Sequence, residues 1–147
     1  ITDSDVRTYE KVGEDYNPKS SKVLGSEIAN KLKEINEKSN QNVKYYAAEQ
    51  WTLEYSIFKS KKLTSSFQIH AKAIHTKTSW DSNFELELAK KLINQGLKKT
   101  EIAYRLAHDL DVEMKKEKPV RTINLHETDS TDSIYYLIEA IRYVTNS

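Results

Sequence analysis

The pattern of apolar residues is clearest near the middle of the chain, where it predicts two helices joined by a turn. Apolar side chains recur there close to the 3.6-residue repeat of a helix that buries one side. The first stripe consists of Phe84, Leu86, Leu88, Leu92 and Ile93, and the second of Ile102, Ala103, Leu106 and Leu110. Gly96, between them, suits the left-handed residue that often closes a helix. The pattern predicts a helix–turn–helix pair over residues 83–116, capped first by Asp81 or Ser82 and then by Thr100.

Three other stretches also have helical spacing. Residues 20–38 and residues 133–144 each combine one apolar stripe with a polar face. The stripes are Leu24, Ile28, Leu32 and Ile35 in the first, and Ile134, Leu137, Ile138, Ile141 and Val144 in the last. Residues 43–62 hold the densest group of aromatic side chains, whose spacing favours another helix. Thr131 or Asp132 is the expected cap of the last helix.

The stretch over residues 63–78 fits two patterns. Apolar residues alternate with polar ones at Phe67, Ile69, Ala71 and Ala73, as they would in a strand. The same stretch also fits a helix that is capped by Ser66 and buries Phe67, Ala71 and Ile74. The alanines and the helical neighbours favour the helix.

Two stretches are polar and less regular. Residues 1–19 predict an arm that packs against the domain, in which Asp3 or Ser4 can cap a short helix. The apolar side chains of that helix are Val6, Tyr9 and Val12. Pro119 and the polar residues after it predict a loop over residues 117–132.

Composition supports a helical domain. The chain has 147 residues, the size of one ordinary domain, and its 3 Gly and 2 Pro are too few for the tight turns of an all-β protein. We therefore expect an all-α, single-domain bundle of five to six helices over residues 1–147. Because the first residue is Ile1 and not Met, we expect the chain to be a piece of a larger protein.

The absence of cysteine excludes disulfides, thiolate metal sites and cysteine nucleophiles, and it fits a reducing, cytoplasmic location. No apolar run approaches the roughly 20 residues that span a bilayer, and no signal-peptide pattern opens the chain. We therefore expect no membrane association.

No pattern of catalytic or cofactor-binding residues is found. His70 and His75 are five residues apart, whereas two metal-binding histidines on one helix are normally four apart. The glycine motifs that hold phosphates and the nucleophile elbow are absent. The carboxylates of Asp109, Asp111 and Glu113 are typical of a solvated helix face. The sequence predicts no enzyme, no metal and no cofactor.

Local charge is more informative than the net charge of +1. No acidic residue occurs between Glu54 and Asp81, whereas lysines are frequent there and around Gly96. Lysines can neutralise phosphates, and aromatic faces can stack on unpaired bases. The predicted nucleic-acid-binding residues are Lys59, Lys61, Lys62, Lys72, Lys77, Lys98 and Lys99; Lys90 and Lys91 add positive charge. In the alternative interpretation these lysines only keep the surface soluble. For the nearby aromatic side chains we favour a core position.

The sequence after the first central helix resembles the first half of a helix-turn-helix of the resolvase or regulator type. The matching motif is GLKKTEIAYRL, residues 96–106. The resemblance implies a recognition helix just beyond it that enters the major groove. However, residues 107–112 lack the expected turn and include Asp109 and Asp111. Lys98 also replaces the usual capping Ser or Thr, so no base-reading residue can be carried over.

A second resemblance covers residues 83–144. This span is similar to the small helical module at the C-terminal side of plasmid and phage primases. The matching features, in order, are Asn83, Gly96, Ile102, Leu106, Pro119 and the last helix. The resemblance implies a non-catalytic accessory domain of a replication, mobilisation or mobile-element protein.

These observations lead to two hypotheses about function. The first is a nucleic-acid-associated accessory domain whose lysines contact phosphates without reading sequence. The second is a protein-interaction module, an adaptor or an oligomerisation domain, that docks through aromatic side chains. The candidates for that role are Tyr45, Trp51, Tyr135 and Tyr143.

Overall fold

The computed structural model describes residues 1–116 and 129–146, which are predominantly helical. Their helices are α1 (Ser21–Lys38), α2 (Leu53–Lys59), α3 (Thr64–Ile74), α4 (Phe84–Ile93), α5 (Lys99–Met114) and α6 (Tyr135–Thr145). A small antiparallel sheet of β1 (Tyr9–Val12) and β2 (Asp15–Pro18) precedes the helices. The prediction of an all-α fold is confirmed. Residues 117–128 of the predicted loop lie outside the described residues.

The first residues form an extended arm and a hairpin, so the predicted short helix was wrong. The Thr2 N–H donates to the Tyr46 carbonyl at 2.8 Å, and the side chain of Val6 is buried. After the arm, β1 pairs with β2 across a turn in which Gly13 has a φ of +62°. Pairing with a segment distant in sequence satisfies the backbone of the arm, and local spacing does not reveal such pairing. The expectation that the arm packs against the domain agrees with this burial.

The helix predicted over residues 43–62 is confined to α2. Before it, the Trp51 N–H donates to the Val6 carbonyl at 3.0 Å, and Trp51 itself has a φ of +55°. The backbone therefore pairs with the arm up to Trp51, and the helix can begin only after Thr52. There the Thr52 hydroxyl accepts a hydrogen bond from the Tyr55 N–H at 3.4 Å and opens the helix.

Aromatic side chains from α2, α3 and α4 form the centre of the core. The Phe58 ring stacks on the Phe84 ring at 5.3 Å and lies 6.3 Å from the Phe67 ring. Trp80 stacks on Phe84 at 4.4 Å. Helix α5 packs against α3 and contributes Ile102 to the same cluster. The core position that the sequence favoured for the aromatic side chains is confirmed.

The predicted caps of α3 and α4 were wrong. Helix α3 begins after Leu63 with no side-chain cap, and Ser66 is buried one turn inside it. Helix α4 is capped by Asn83, whose side-chain oxygen accepts a hydrogen bond from the Leu86 N–H at 3.1 Å. Asn83 serves as well as the predicted Asp81 or Ser82, because any short polar side chain at this position can accept the bond.

The turn between α4 and α5 has the hydrogen bonds of a Schellman motif. The Gly96 N–H donates to the Lys91 carbonyl at 2.8 Å, and the Gln95 N–H donates to the Leu92 carbonyl at 3.3 Å. The left-handed residue is Gln95, with a φ of +53°, and not Gly96 as predicted. Helix α5 then starts at Lys99 without a side-chain cap, so Thr100 lies inside it.

Polar contacts join α6 to α2. The carboxylate of Asp132 accepts hydrogen bonds from the Lys61 N–H and the Ile134 N–H, both at 3.1 Å. The Ser133 hydroxyl donates to the Ser56 carbonyl at 2.6 Å. Neither Thr131 nor Asp132 is the N-cap of α6, because the helix starts at Tyr135 with Ile134 in the cap position. Asp132 instead closes the turn that leads into the helix.

The predicted apolar stripe of α1 is only partly covered. Ile35 is buried, whereas Leu32 on the same stripe is exposed.

Among the helices within the described residues, none has both the length and the apolar character that crossing a membrane requires.

Candidate functional site

The α4–α5 turn carries the candidate site, which we call the basic turn surface and define by Lys91, Lys98 and Lys99. Lys91 lies in the last turn of α4, and Lys98 and Lys99 open α5. A cleft of about 380 Å³ lies beside this turn. Its lining residues are Thr52, Lys91, Leu92, Gln95, Leu97 and Lys99. Within the described residues, no carboxylate lines this cleft.

The end of α3 meets the basic turn surface at His75. The Lys98 N–H donates to the Nε2 atom of His75 at 3.2 Å, and the Trp80 indole donates to the His75 carbonyl at 3.3 Å. The Lys91 ammonium lies 5.7 Å from the centre of the Trp80 ring. His75, from the run without acidic residues between Glu54 and Asp81, therefore meets the lysines around Gly96, whereas none of these contacts involves Lys59, Lys61, Lys62, Lys72 or Lys77.

Burial and the positive charges of this surface both affect the pKa of His75. Partial burial lowers the pKa of His75 below its ordinary value, and the charges of Lys91 and Lys98 lower it further. Glu101 raises this pKa, but its effect is the smallest of the four. The bond from Lys98 agrees with the lowered pKa, since Nε2 can accept a hydrogen bond only while it is unprotonated.

We expect His75 to make folding stability depend on pH. Because its pKa is lower in the folded state, the unfolded chain binds more protons at a pH between that pKa and 6.5. The free energy of unfolding should fall as the pH drops through this window and then level off. His75→Gln should remove this part of the dependence while keeping a side-chain acceptor. Urea unfolding of both proteins from pH 7.5 to about pH 5 measures the difference; parallel curves would contradict the prediction.

Most of the lysines predicted from sequence lie against carboxylates. The distances from ammonium to carboxylate are 3.6 Å for Lys59 and Glu85, 2.6 Å for Lys61 and Asp129, 2.9 Å for Lys72 and Asp81, 3.1 Å for Lys98 and Glu101, and 2.9 Å for Lys99 and Glu54. Within residues 1–116 and 129–146, no such pair involves Lys62 or Lys77. The phosphate-binding role of the seven lysines stays a prediction.

Stacking of bases on the neighbouring aromatic side chains is excluded by burial. Tyr55, Phe58 and Phe67 all belong to the core, and the Tyr55 hydroxyl donates to the carboxylate of Glu85. Burial is the main reason that the pKa of Tyr55 lies well above its ordinary value, and the bond to Glu85 adds to it. In this region the lysines are therefore the candidates for contact with phosphates, and these three rings are not candidates for stacking on bases.

Helix α5 includes residues 107–112, where a helix-turn-helix would have the turn before its recognition helix. It runs unbroken to Met114, and the carboxylate of Asp109 lies 2.7 Å from the Nε2 atom of His70 on α3. The absence of a turn in residues 107–112, noted in the sequence, is therefore also seen in the structure. This part of α5 braces α3 and is acidic.

A second surface, which we call the α6 cleft, lies between α6 and the extended segment before α2. Its volume is about 470 Å³. The lining residues are Ile1, Asn42, Val43, Lys44, Tyr46, Ala140, Ile141, Tyr143, Val144 and Thr145. The sequence indicated Tyr143 as a docking residue but not Val43, Lys44 or Ile141. No signal for this cleft was present in the sequence, since the predicted stripe of the last helix has the spacing of a single buried face.

Of the four aromatic side chains predicted to dock a partner, Trp51 cannot do so. Only 3% of its surface is exposed, because it packs on Tyr55 at a distance of 5.4 Å between ring centres. Tyr45 and Tyr143 are exposed, and Tyr135 is half-buried.

Within the described residues, no three histidine or carboxylate side chains form a group that could hold a metal ion.

No protein-family model, no curated protein and no solved structure matches this chain.

Proposed function

We propose that this chain is a non-catalytic, nucleic-acid-associated accessory domain that contacts phosphates through the basic turn surface without reading sequence. The observation that carries the proposal is the meeting of Lys91, Lys98 and the end of α3 beside a cleft whose described lining has no carboxylate. The parent would be a cytoplasmic replication, mobilisation or mobile-element protein of a plasmid or phage, as the sequence resemblances imply.

The ion pairs of Lys98 and Lys99 do not oppose this role. The side chains of Lys98 and Glu101 are both more than half exposed, and exposed pairs contribute little to stability. A phosphate can therefore replace such a carboxylate at small cost. Lys99 is more constrained, because Glu54 beside it is largely buried. Lys91 forms no ion pair with any described carboxylate and is therefore the most available of the three.

The proposal can be tested by measuring how salt changes nucleic-acid affinity. Binding of a fluorescein-labelled dT20 strand and of a 20-base-pair duplex would be followed by anisotropy at several salt concentrations. The test variant combines Lys91→Gln, Lys98→Gln and Lys99→Gln, which removes three positive charges and keeps polar side chains at these positions. Removing three phosphate contacts should reduce the slope of log affinity against log salt by about 2 for the single strand and about 2.7 for the duplex.

A matched variant separates a local site from the loss of net charge. Lys31→Gln, Lys33→Gln and Lys38→Gln remove the same three charges from α1, where each ammonium lies within 4.0 Å of a glutamate. This control should keep most of the affinity and the slope. Equal losses in the two variants would overturn the basic turn surface as the site. If the unsubstituted chain binds neither probe at low salt, the whole nucleic-acid proposal fails.

Protein interaction remains a second candidate function because of the α6 cleft. An apolar cleft with exposed Ile141, Tyr143 and Val144 is typical of a surface that a partner covers. This surface is separate from the basic turn surface, so the two functions are compatible in one domain.

A further inference from the structure

Helix α6 has apolar side chains on more of its surface than the domain buries. Tyr136, Ile138 and Ala140 face inward and are buried. In the next turn Ile141 is 44% exposed and Val144 is 79% exposed. A surface helix that needs only one buried side normally carries polar residues elsewhere. The last turn of α6 therefore has the composition of an interface.

The opposite wall of the α6 cleft is held in place by the arm. Thr2 pairs with the backbone around Tyr46, and the Tyr46 ring lies 6.1 Å from the Tyr143 ring. These contacts hold the backbone around Tyr46 beside α6. The cleft is thus a formed groove in the isolated chain, which lowers the cost of ordering it when a ligand binds.

The backbone of this wall is poorly suited to pairing with an added strand. The N–H groups of Asn42 and Val43 donate to the side chain of Asn40 at 2.9 and 3.0 Å, and the Tyr45 N–H donates to the hydroxyl of Ser39 at 3.3 Å. Strand addition depends on open backbone donors and acceptors along an edge. A ligand that satisfies its own backbone, namely a helix, fits this groove better.

The positive charge of the cleft favours a helix with acidic residues on its flanks. Among the described residues that line the cleft, Lys44 has the only charged side chain. Its ammonium lies 6.0 Å from the centre of the Tyr143 ring, and among the described residues it forms no ion pair with a carboxylate. A carboxylate on the ligand could pair with Lys44 without displacing another described carboxylate, whereas a lysine-rich ligand would be repelled.

The size of the cleft argues against a second copy of the chain as the occupant. A volume of about 470 Å³ has room for a few apolar side chains. Stable protein dimers bury at least about 1,200 Å² of surface in total, much more than one such groove provides. A short helix that inserts the side chains of two turns is the better match in size.

We propose that the α6 cleft binds a short amphipathic helix of a protein partner, with its apolar side inserted between α6 and residues 42–46 and with acidic residues on its flank facing Lys44. This inference is independent of the nucleic-acid proposal, because it uses a different surface.

The experiment uses designed helical peptides with a fluorescein label. One peptide has leucines at positions i, i+3, i+4 and i+7 and glutamates on its flanks; a second has the same leucines and lysine flanks. The unsubstituted chain should bind the glutamate peptide about fivefold more tightly than the lysine peptide. Lys44→Glu should reverse this preference. Val144→Glu should abolish binding, since it places a charge among the apolar side chains that line the cleft.

The matched control is Val112→Glu, which makes the same change at an exposed valine on α5. It should leave peptide binding unchanged, and circular dichroism should show that all variants remain folded. Three results would overturn the proposal: no binding of the glutamate peptide, no change with Val144→Glu, or a preference that Lys44→Glu leaves unaltered. Sedimentation of a dimer that Val144→Glu dissociates would assign the cleft to a second copy. Salt-dependent DNA binding should be retained in Val144→Glu, so failure here leaves the nucleic-acid proposal intact.

Discussion

Replacing Phe67 by alanine is expected to lower the free energy of unfolding by about 4 kcal/mol. Phe67 is 0% exposed and lies at the centre of the aromatic core, 6.3 Å from the Phe58 ring and 6.5 Å from the Phe84 ring. Truncation removes its buried surface and leaves a cavity between helices α2, α3 and α4. The loss is a large part of the total stability of a domain of this size.

The change is measured by urea unfolding followed by circular dichroism and tryptophan fluorescence. Phe67→Leu should lose less, because leucine refills part of the volume, and it gives a measurable value if the alanine variant does not fold. Ile69→Ala is the matched control on the same helix, since Ile69 is exposed. If Ile69→Ala and Phe67→Ala destabilise the protein equally, the assignment of the core is wrong.

The second large effect is expected from Asp132→Ala, at about 3 kcal/mol of unfolding free energy. The carboxylate of Asp132 is buried and accepts the N–H groups of Lys61 and Ile134 at 3.1 Å each. Alanine leaves both donors without this acceptor inside the protein. These bonds matter because the buried residues of α6 are not members of the aromatic core cluster. The hydrogen bonds of Asp132 therefore add to the packing of the buried α6 side chains, which include Ile138 and Ala140.

Asp132→Asn provides the intermediate test. Its amide oxygen can keep one of the two bonds, so about half of the loss is expected. Asp129→Ala is the control, since Asp129 lies three residues earlier and pairs with the exposed ammonium of Lys61; it should change unfolding much less. Asp132→Ala should also weaken peptide binding at the α6 cleft, because α6 forms one of its walls. An unaltered unfolding midpoint in Asp132→Ala would show that the hydrogen bonds of Asp132 do not stabilise the fold.

Helices whose stabilising interactions lie within a few residues were predicted well. The apolar stripes predicted α1 over residues 20–38 and the α4–α5 pair over residues 83–116, close to their observed bounds. Spacing carries this information because side chains three or four residues apart share a face. The position of Trp51 could not be found in this way. Its helical spacing with Tyr55 and Phe58 is outweighed by pairing of its backbone with the arm, a non-local contact.

At the candidate sites, too, local features were predicted from sequence and contacts between distant residues were not. A run without acidic residues marked Lys59 to Lys77 as basic, but carboxylates from other elements approach Lys59, Lys61 and Lys72. The sequence could not reveal those partners, because ion pairs form between residues that only folding brings together. Likewise, no local pattern connected Lys44 with Tyr143, whose side chains share one cleft.

The sequence by itself determined the class of fold, the extents of most helices and the aromatic composition of the core, since each depends on residue type and short-range periodicity. Only the tertiary structure decided which lysines are paired with carboxylates, that the first residues extend along residues 46–51, and that the last turn of α6 remains uncovered beside Lys44. These features depend on distances between residues far apart in the chain. Such distances are set by the packing of the whole domain and not by any local pattern.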